Sequence, residues 1–195
     1  MKNIIQLLCT DIDGTLLNED RWLNDRTVTA FAKAGLPTIL ASSRPPQAMR
    51  YIQEGLGISG SALIAFNGGL IIGENGKQLE SNTINVDILE ALKNHKAQHH
   101  YNLSIYSYED WFTAQMDDHT KHEIFTTRDT PKIQPVSKTL DFLKATQNGI
   151  HKLMCMGTPK ELDSIVTLLT PIFQEKVHLY RSKDTYLEIL SLIHI

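Results

Sequence analysis

The segment that most constrains the fold is an apolar run from Ile4 to Cys9 that ends in Thr10-Asp11-Ile12-Asp13-Gly14-Thr15-Leu16. The run predicts a first β-strand, and open α/β sheets place their chemistry at the carboxyl ends of strands. Because residues i and i+2 of an extended chain point to one side, Asp11 and Asp13 can face one small pocket. Gly14 permits a backbone turn that a Cβ would resist. The alternative is an acidic turn in which one aspartate acts only as a cap.

A pair of carboxylates in this arrangement suits chemistry at phosphorus. One carboxylate can attack the phosphorus atom while the other handles the proton. A hard cation such as Mg²⁺ would screen the charge that the two share. The strand before the pair and the Gly-Thr-Leu after it favour this functional interpretation over the cap.

A second strand is predicted at Pro37 to Ala41, followed by Ser42-Ser43-Arg44-Pro45-Pro46 and a helix from Pro46 to Glu54. A hydroxyl between a strand end and a helix start is well placed to bind a phosphate oxygen. Ser42 or Ser43 can also be a simple helix cap. The position one βα unit after the aspartates favours phosphate binding.

A third apolar run, Ala62 to Phe66, ends in Asn67-Gly68-Gly69. Leu70 to Ile72 and Lys77 to Leu79 then flank Glu74-Asn75-Gly76, and Asn-Gly between such segments predicts a hairpin. Together the three strand ends resemble the motifs of the haloacid dehalogenase superfamily of phosphohydrolases. The hairpin is similar to the one in its Cof-type sugar-phosphate phosphatases.

The resemblance implies that Asp11 is the nucleophile that becomes an aspartyl-phosphate, and that Asp13 is the general acid and base. Mg²⁺ would be held by the Asp11 carboxylate and the Asp13 carbonyl. The other positions that the resemblance implies are phosphate binding at Gly14, Ser42, Ser43 and Arg44, and a substrate loop at Asn67 and Gly68. The implied substrate is a small phosphorylated metabolite such as a sugar phosphate.

Strand and helix signals alternate, which predicts an α/β fold. The resemblance implies the N-terminal part of a doubly wound, Rossmann-like core at 1–82 and an inserted α/β cap at 83–184. Residues 185–195 would be a return strand toward the core and an aberrant tail. A family lysine and a Gly-Asp-x-x-Asn-Asp loop would follow Glu188, and the 195 residues contain neither. We therefore expect a chain truncated at its C-terminus, with the rest of the core missing, impaired activity and weak Mg²⁺ binding.

An incomplete sheet would leave one edge and much apolar surface uncovered, so self-association is a further expectation. The alternative to an enzyme is a non-catalytic truncated remnant or a partner-binding protein. A more distant alternative is an aspartate-phosphorylated signalling receiver, against which the cap and the Gly-Thr-Leu speak.

Composition bounds the remaining function classes. The net charge is −3 without a basic block, which predicts no nucleic-acid partner. The N-terminal apolar run is too short for a membrane span, and no secretory signal is evident, so a cytoplasmic protein is expected. Cys9 and Cys155 both lie in apolar runs and are expected to be buried free thiols.

Eight histidines raise the possibility of zinc. His95 and His99 are four apart, and His119 and His122 are three apart in a polar stretch, but solvated faces are the favoured interpretation. Lys152 and Lys183 are both expected to be ordinary surface lysines.

Local signals predict several further elements. Asn24 is expected to cap a helix that ends at Gly35, and a helix is expected from Val86 to His95. The remaining predicted elements are strands at Leu103 to Tyr108, Trp111 to Gln115, His151 to Met156, Val177 to Tyr180 and Tyr186 to Ile189, and helices around Leu140 and from Pro159 through Leu169.

Overall fold

Helices and strands alternate along residues 5–192, the part of the chain that a computed structural model describes. This alternation confirms the α/β class. The chain divides into two units, one ending at Ser81 and the other beginning at Asn82.

The first unit contains a five-stranded sheet in the order β1-β2-β3-β4-β5. Its elements are β1 Leu8–Thr10, α1 Asp25–Ala34, β2 Thr38–Ala41, α2 Gln47–Gly55, β3 Leu63–Ala65, β4 Leu70–Ile72 and β5 Gln78–Ser81. Strands β1, β2 and β3 are parallel, and β4 is antiparallel to both of its neighbours, β3 and β5. The parallel strands therefore end at one edge of the sheet.

Local sequence chemistry sets the ends of these elements. The Asn24 side chain accepts a hydrogen bond from the Thr27 amide and caps α1, and Gly35 ends the helix in the left-handed conformation, as predicted. The β4–β5 hairpin turns at Asn75, whose φ is 61°, and Gly76. The first strand is shorter than expected, and Ile4, the first residue of the predicted run, lies outside the described residues.

Strand β1 is an edge strand of the sheet, and its position corrects one expectation. Cys9 is exposed, whereas Cys155 is buried. Apolar neighbours in sequence predicted burial for both thiols, but among the described residues β1 has a neighbouring strand on one side only, so fewer side chains cover it.

The second unit contains a six-stranded sheet in the order β10-β11-β9-β6-β7-β8. Its elements are α3 Val86–Lys96, β6 Asn102–Ser107, β7 Asp110–Thr113, α4 Asp118–Thr127, β8 Lys132–Ile133, α5 Val136–Thr146, β9 Lys152–Met156, α6 Pro159–Phe173, β10 Val177–Lys183 and β11 Tyr186–Ser191. The segment expected to lead out of this unit, β11, is itself a strand of the sheet between β10 and β9. Leu187 and Ile189, which are two residues apart in this strand, both face the core.

One face of this sheet and the helices α3, α5 and α6 enclose the main apolar core of the unit. Leu103 and Ile105 of β6, Leu153 and Cys155 of β9, and Leu162 of α6 belong to that core. Residues two apart along a strand face the same side, so these apolar side chains pack together against the three helices.

The polar stretch around His119 and His122 is a helix, α4, which the sequence did not predict. Its buried side chains are Thr120, Glu123 and Thr127. Because this buried face is polar, the helix lacks the apolar periodicity by which an amphipathic helix is identified.

Lys152 is a second correction, because it is buried rather than at the surface. Its Nζ lies 3.5 Å from Glu188 Oε2 and 5.2 Å from the centre of the Tyr106 ring. Strand alternation places Lys152 and Glu188 on one face of neighbouring strands, where each supplies the charge that the other needs on burial. Lys183 is exposed, as expected.

Among residues 5–192, no helix combines the length and the apolar character needed to cross a membrane.

Candidate active site

Asp11 and Asp13 follow directly after β1, at the edge where the parallel strands end. Asp11 is exposed, and its Oδ2 accepts a 3.3 Å hydrogen bond from the Thr15 hydroxyl. Gly14 has a φ of 77°, and, apart from Gly14 itself and its two chain neighbours, no atom of residues 5–192 lies within 4 Å of the position that its Cβ would occupy. The turn therefore needs glycine for its backbone conformation.

The parallel register of β1 and β2 brings the second motif to the same edge. Thr10 pairs with Leu40, so Ser42 follows β2 as Asp11 follows β1. The Ser42 hydroxyl accepts a 3.2 Å hydrogen bond from the Arg44 amide. Because the hydroxyl is the acceptor in this bond, the Ser42 O–H proton remains available to a ligand oxygen. Helix α2 begins after Pro46 and has no side-chain cap, so neither serine caps it.

Arg44 does not extend toward solvent but binds Asp13. Its Nε lies 2.8 Å from Asp13 Oδ2 and its Nη2 lies 2.8 Å from Asp13 Oδ1, a bidentate pair. The Arg44 side chain is 4% exposed and that of Asp13 is 37% exposed. Arg44 thus fixes the orientation of the Asp13 carboxylate.

Arg21 also binds Asp13, and sequence reasoning missed it. Its Nη1 lies 2.9 Å from Asp13 Oδ1. No periodicity or motif signal marks Arg21, which follows two acidic residues in a turn. Its closeness to Asp13 depends on how that turn folds back.

Arg44 and Arg21 together lower the pKa of the Asp13 carboxylate. Partial burial works to raise the pKa of Asp13, but hydrogen bonds and charge from Arg44, together with Arg21, hold that pKa below its ordinary value. Asp13 is therefore ionised in the resting site, which suits a base. To act as an acid it must first take up a proton.

Asn67 and Gly68 lie in a turn after β3, with φ angles of 55° and 97°. The Asn67 amide donates to the Ser42 carbonyl at 2.9 Å, and the Phe66 amide donates to the Arg44 carbonyl at 3.1 Å. These hydrogen bonds connect the turn after β3 to the segment that follows β2. The Asn67 residue is exposed, so its amide group is open to a ligand.

The oxygen donors of this site suit Mg²⁺ in kind. The Asp11 carboxylate is exposed, and Mg²⁺ is commonly held by one or two carboxylates, with waters and substrate phosphate completing its shell. Within the described residues, no three His, Cys, Asp or Glu side chains gather into a group that could hold a metal. The protein ligands would therefore be few.

The histidine pairs do not form such a group either. The rings of His95 and His99 stack with centroids 3.9 Å apart. His119 and His122 lie on α4.

Comparison with known proteins identifies the family. The model of the haloacid dehalogenase-like hydrolases matches residues 8–192. A Streptococcus pyogenes protein, provisionally named a phosphatase, is 26% identical over 194 residues, which cover 95% of this chain and 70% of the relative. A Bacillus subtilis protein named 5-amino-6-(5-phospho-D-ribitylamino)uracil phosphatase is 29% identical over 101 residues, which cover 50% of this chain and 40% of the relative.

Solved structures share the fold. A haloacid dehalogenase-like hydrolase from Bacteroides thetaiotaomicron superposes with a TM-score of 0.83 at 22% identity, covering 96% of this chain and 71% of its own. A subclass IIB sugar phosphatase of the same superfamily superposes with a TM-score of 0.69 at 14% identity, covering 96% of this chain and 70% of its own. Because the family model spans nearly all of the described residues, this chain belongs to the haloacid dehalogenase-like hydrolases.

Proposed function

We propose that this chain is a Mg²⁺-dependent phosphatase that hydrolyses a small phosphomonoester through an aspartyl-phosphate. The observation that carries the proposal is the common edge at which Asp11 and the Ser42 hydroxyl follow neighbouring parallel strands. The names of two similar proteins, a ribitylamino-uracil phosphatase and a sugar phosphatase, support a sugar-phosphate or polyol-phosphate substrate.

In the first step an Asp11 oxygen attacks phosphorus while the ester P–O bond breaks, and the leaving oxygen takes a proton from Asp13. In the second step a water oxygen attacks the phosphorus of the aspartyl-phosphate, the P–O bond to Asp11 breaks, and a water proton passes to Asp13. Phosphate leaves and both carboxyl groups are restored. The Ser42 hydroxyl, with Gly14 and Ser43 beside the site, orients the phosphoryl group, and Asn67 and Gly68 face the rest of the substrate.

Mg²⁺, when bound to the Asp11 carboxylate and the Asp13 carbonyl, would neutralise charge on the phosphoryl group. Arg44 keeps the Asp13 carboxylate in one orientation through its two hydrogen bonds. The resting ionised state of Asp13 is ready for the second step. The first step requires that Asp13 bind a proton when the substrate enters.

The experiment is an assay of the 195-residue chain on an aryl phosphate and a panel of sugar phosphates, with and without Mg²⁺. We expect Mg²⁺-dependent turnover of at least one of these esters, and its loss in Asp11→Asn. Asp25→Asn, in the first turn of α1, is the matched control and should keep the activity.

Turnover that survives Asp11→Asn would contradict the proposed nucleophile. Turnover that is equal with and without Mg²⁺ would contradict the proposed dependence on the metal.

A second candidate, partner binding, is favoured by one observation in the first unit. Ile5 and Leu7, just before the edge strand β1, are 69% and 51% exposed. Exposed apolar side chains beside a strand edge that no described strand pairs with favour association with another polypeptide. Under this proposal the occupant is a second copy of the chain.

A further inference from the structure

Arg21 lies in a tight turn that follows the two aspartates. Leu17 and Leu23 form an antiparallel bridge, and the Arg21 amide donates to the Asn18 carbonyl at 3.0 Å. Arg21 has a φ of 63°, in the left-handed region that glycine and asparagine adopt more readily. An arginine therefore costs the turn backbone energy, which glycine at this position would avoid.

Tyr51 of α2 holds this turn against the site. Its hydroxyl donates to the Arg21 carbonyl at 3.2 Å, and its ring meets that of Trp22 edge to face at 5.7 Å. Arg44 Nη1 in turn donates to the Tyr51 hydroxyl at 3.3 Å. The Arg21 backbone is thereby fixed close to Asp13, while its side chain is not enclosed.

Arg44 and Arg21 both bind Asp13, but they differ in which of their N–H groups remain available to a ligand. Arg44 uses Nε, Nη1 and Nη2 on protein acceptors, including the Ala48 carbonyl, and is almost fully buried. Arg21 is 33% exposed and uses only Nη1. Within residues 5–192, Nε and Nη2 of Arg21 have no hydrogen-bond acceptor, so they can bind an anion from solvent.

The charges also favour a cation at this position. Asp11 and Asp13 are both acidic, and a phosphate ester adds about two further negative charges. The Arg44 charge is balanced by the Asp13 carboxylate that it holds in a bidentate pair. A guanidinium that is partly exposed and presents two parallel N–H groups matches phosphate oxygens in geometry.

We propose that Arg21 is a phosphate-binding residue that contacts the phosphoryl oxygens of the substrate through its exposed guanidinium. The proposal rests on the proposed phosphatase function of the same site. On ligand binding Arg21 turns from Asp13 toward the phosphoryl group, while Arg44 stays on Asp13.

The test is binding of inorganic phosphate to the 195-residue chain, measured by calorimetry and ³¹P NMR with and without Mg²⁺. Arg21→Gly removes the guanidinium and suits the left-handed backbone, so the turn should persist; circular dichroism checks the fold. Loss of a charged hydrogen bond predicts phosphate binding weaker by about 10- to 100-fold. Arg21→Lys should restore part of the affinity. Arg26→Ala, which removes an equal charge from an exposed site on α1, should leave binding unchanged.

Phosphate affinity that is unchanged in a folded Arg21→Gly would overturn the proposal and reduce Arg21 to a residue that positions Asp13. Absence of phosphate binding in the parent chain would also overturn it. A different result, turnover that does not depend on Asp11, would contradict the proposed phosphatase function. The two failures are therefore distinguishable.

Discussion

Several charged side chains of this protein are held by specific ion-pair partners rather than simply extending into solvent. Arg44 and Arg21 form ion pairs with Asp13, and Glu188 forms an ion pair with buried Lys152. Asp129 is the contrasting residue, because its Oδ1 accepts from the Thr130 amide at 2.7 Å while its buried Oδ2 has no hydrogen-bond partner among the described residues. A buried carboxylate without a cation is costly when ionised.

Asp129 should make the stability of the second unit depend on pH. Burial, with further repulsion from Glu109, Asp110 and Glu123, raises the pKa of Asp129 to about 6. A folded-state pKa above the unfolded value of 3.8 means that folding is favoured most below about pH 4 and loses stability as the pH rises through about 6. We expect Asp129→Asn to raise the free energy of unfolding by about 1–3 kcal/mol at pH 8 and to change it little at pH 4.

Urea unfolding, followed by the fluorescence of buried Trp111 in a Trp22→Phe background, measures this difference. Asp141→Asn on α5 is the control and should show no such pH dependence. An Asp129→Asn stability that parallels the parent between pH 4 and pH 8 would show that Asp129 is not the group responsible.

Helix α4 shows how an element can be held to a sheet by polar contacts. Asn102 Nδ2 of β6 donates to the Thr120 hydroxyl at 2.9 Å and to Asp117 Oδ1 at 2.9 Å. Asp117 is also the N-cap of α4, since its Oδ1 accepts from the Thr120 amide at 2.8 Å. One carboxylate therefore both begins the helix and attaches it to the sheet.

Asp117→Ala should destabilise α4 more than Asp118→Ala does. Loss of the cap and of the Asn102 contact predicts a decrease of about 1–2 kcal/mol in the free energy of unfolding. Asp118 is the next residue, its side chain is 98% exposed, and among residues 5–192 it pairs only with exposed Lys121. Its removal therefore predicts a change below about 0.5 kcal/mol. Chemical denaturation of both variants decides the comparison; equal losses would refute the double role of Asp117.

At the scale of the whole molecule, the two units differ in how fully their apolar surface is covered. In the first unit α1 has no buried residue, and Ile5 and Leu7 are exposed before β1. In the second unit three helices enclose one face of a six-stranded sheet in a continuous apolar core. A unit with a closed core opens at higher free energy.

Hydrogen exchange should therefore be faster in the first unit. We expect the amides of Leu8–Thr10 to be protected at least about tenfold less than those of Lys152–Met156. Equal protection would contradict this expectation and favour an edge covered by a second copy of the chain. Sedimentation at rising protein concentration then shows whether a dimer forms, and Leu7→Lys should weaken one that uses this edge.

The sequence by itself determined the features that depend on near neighbours in the chain. Asn24 and Gly35 bound α1, Asn75-Gly76 turns the β4–β5 hairpin, and the aspartates follow the first strand, because caps, turns and strand ends depend on a few adjacent residues. The sequence also predicted that Asp11 follows the first strand and Ser42 the second, as the structure has them.

Tertiary structure decided which charges meet and which surfaces are covered. Arg44 reaches Asp13 from 31 residues away, and Lys152 pairs with Glu188 across neighbouring strands. Helix α4 escaped prediction because its buried face is polar, and Cys9 is exposed because β1 lies at a sheet edge. Such outcomes depend on the distance between residues far apart in the chain, and local hydrophobic pattern carries no information about that distance.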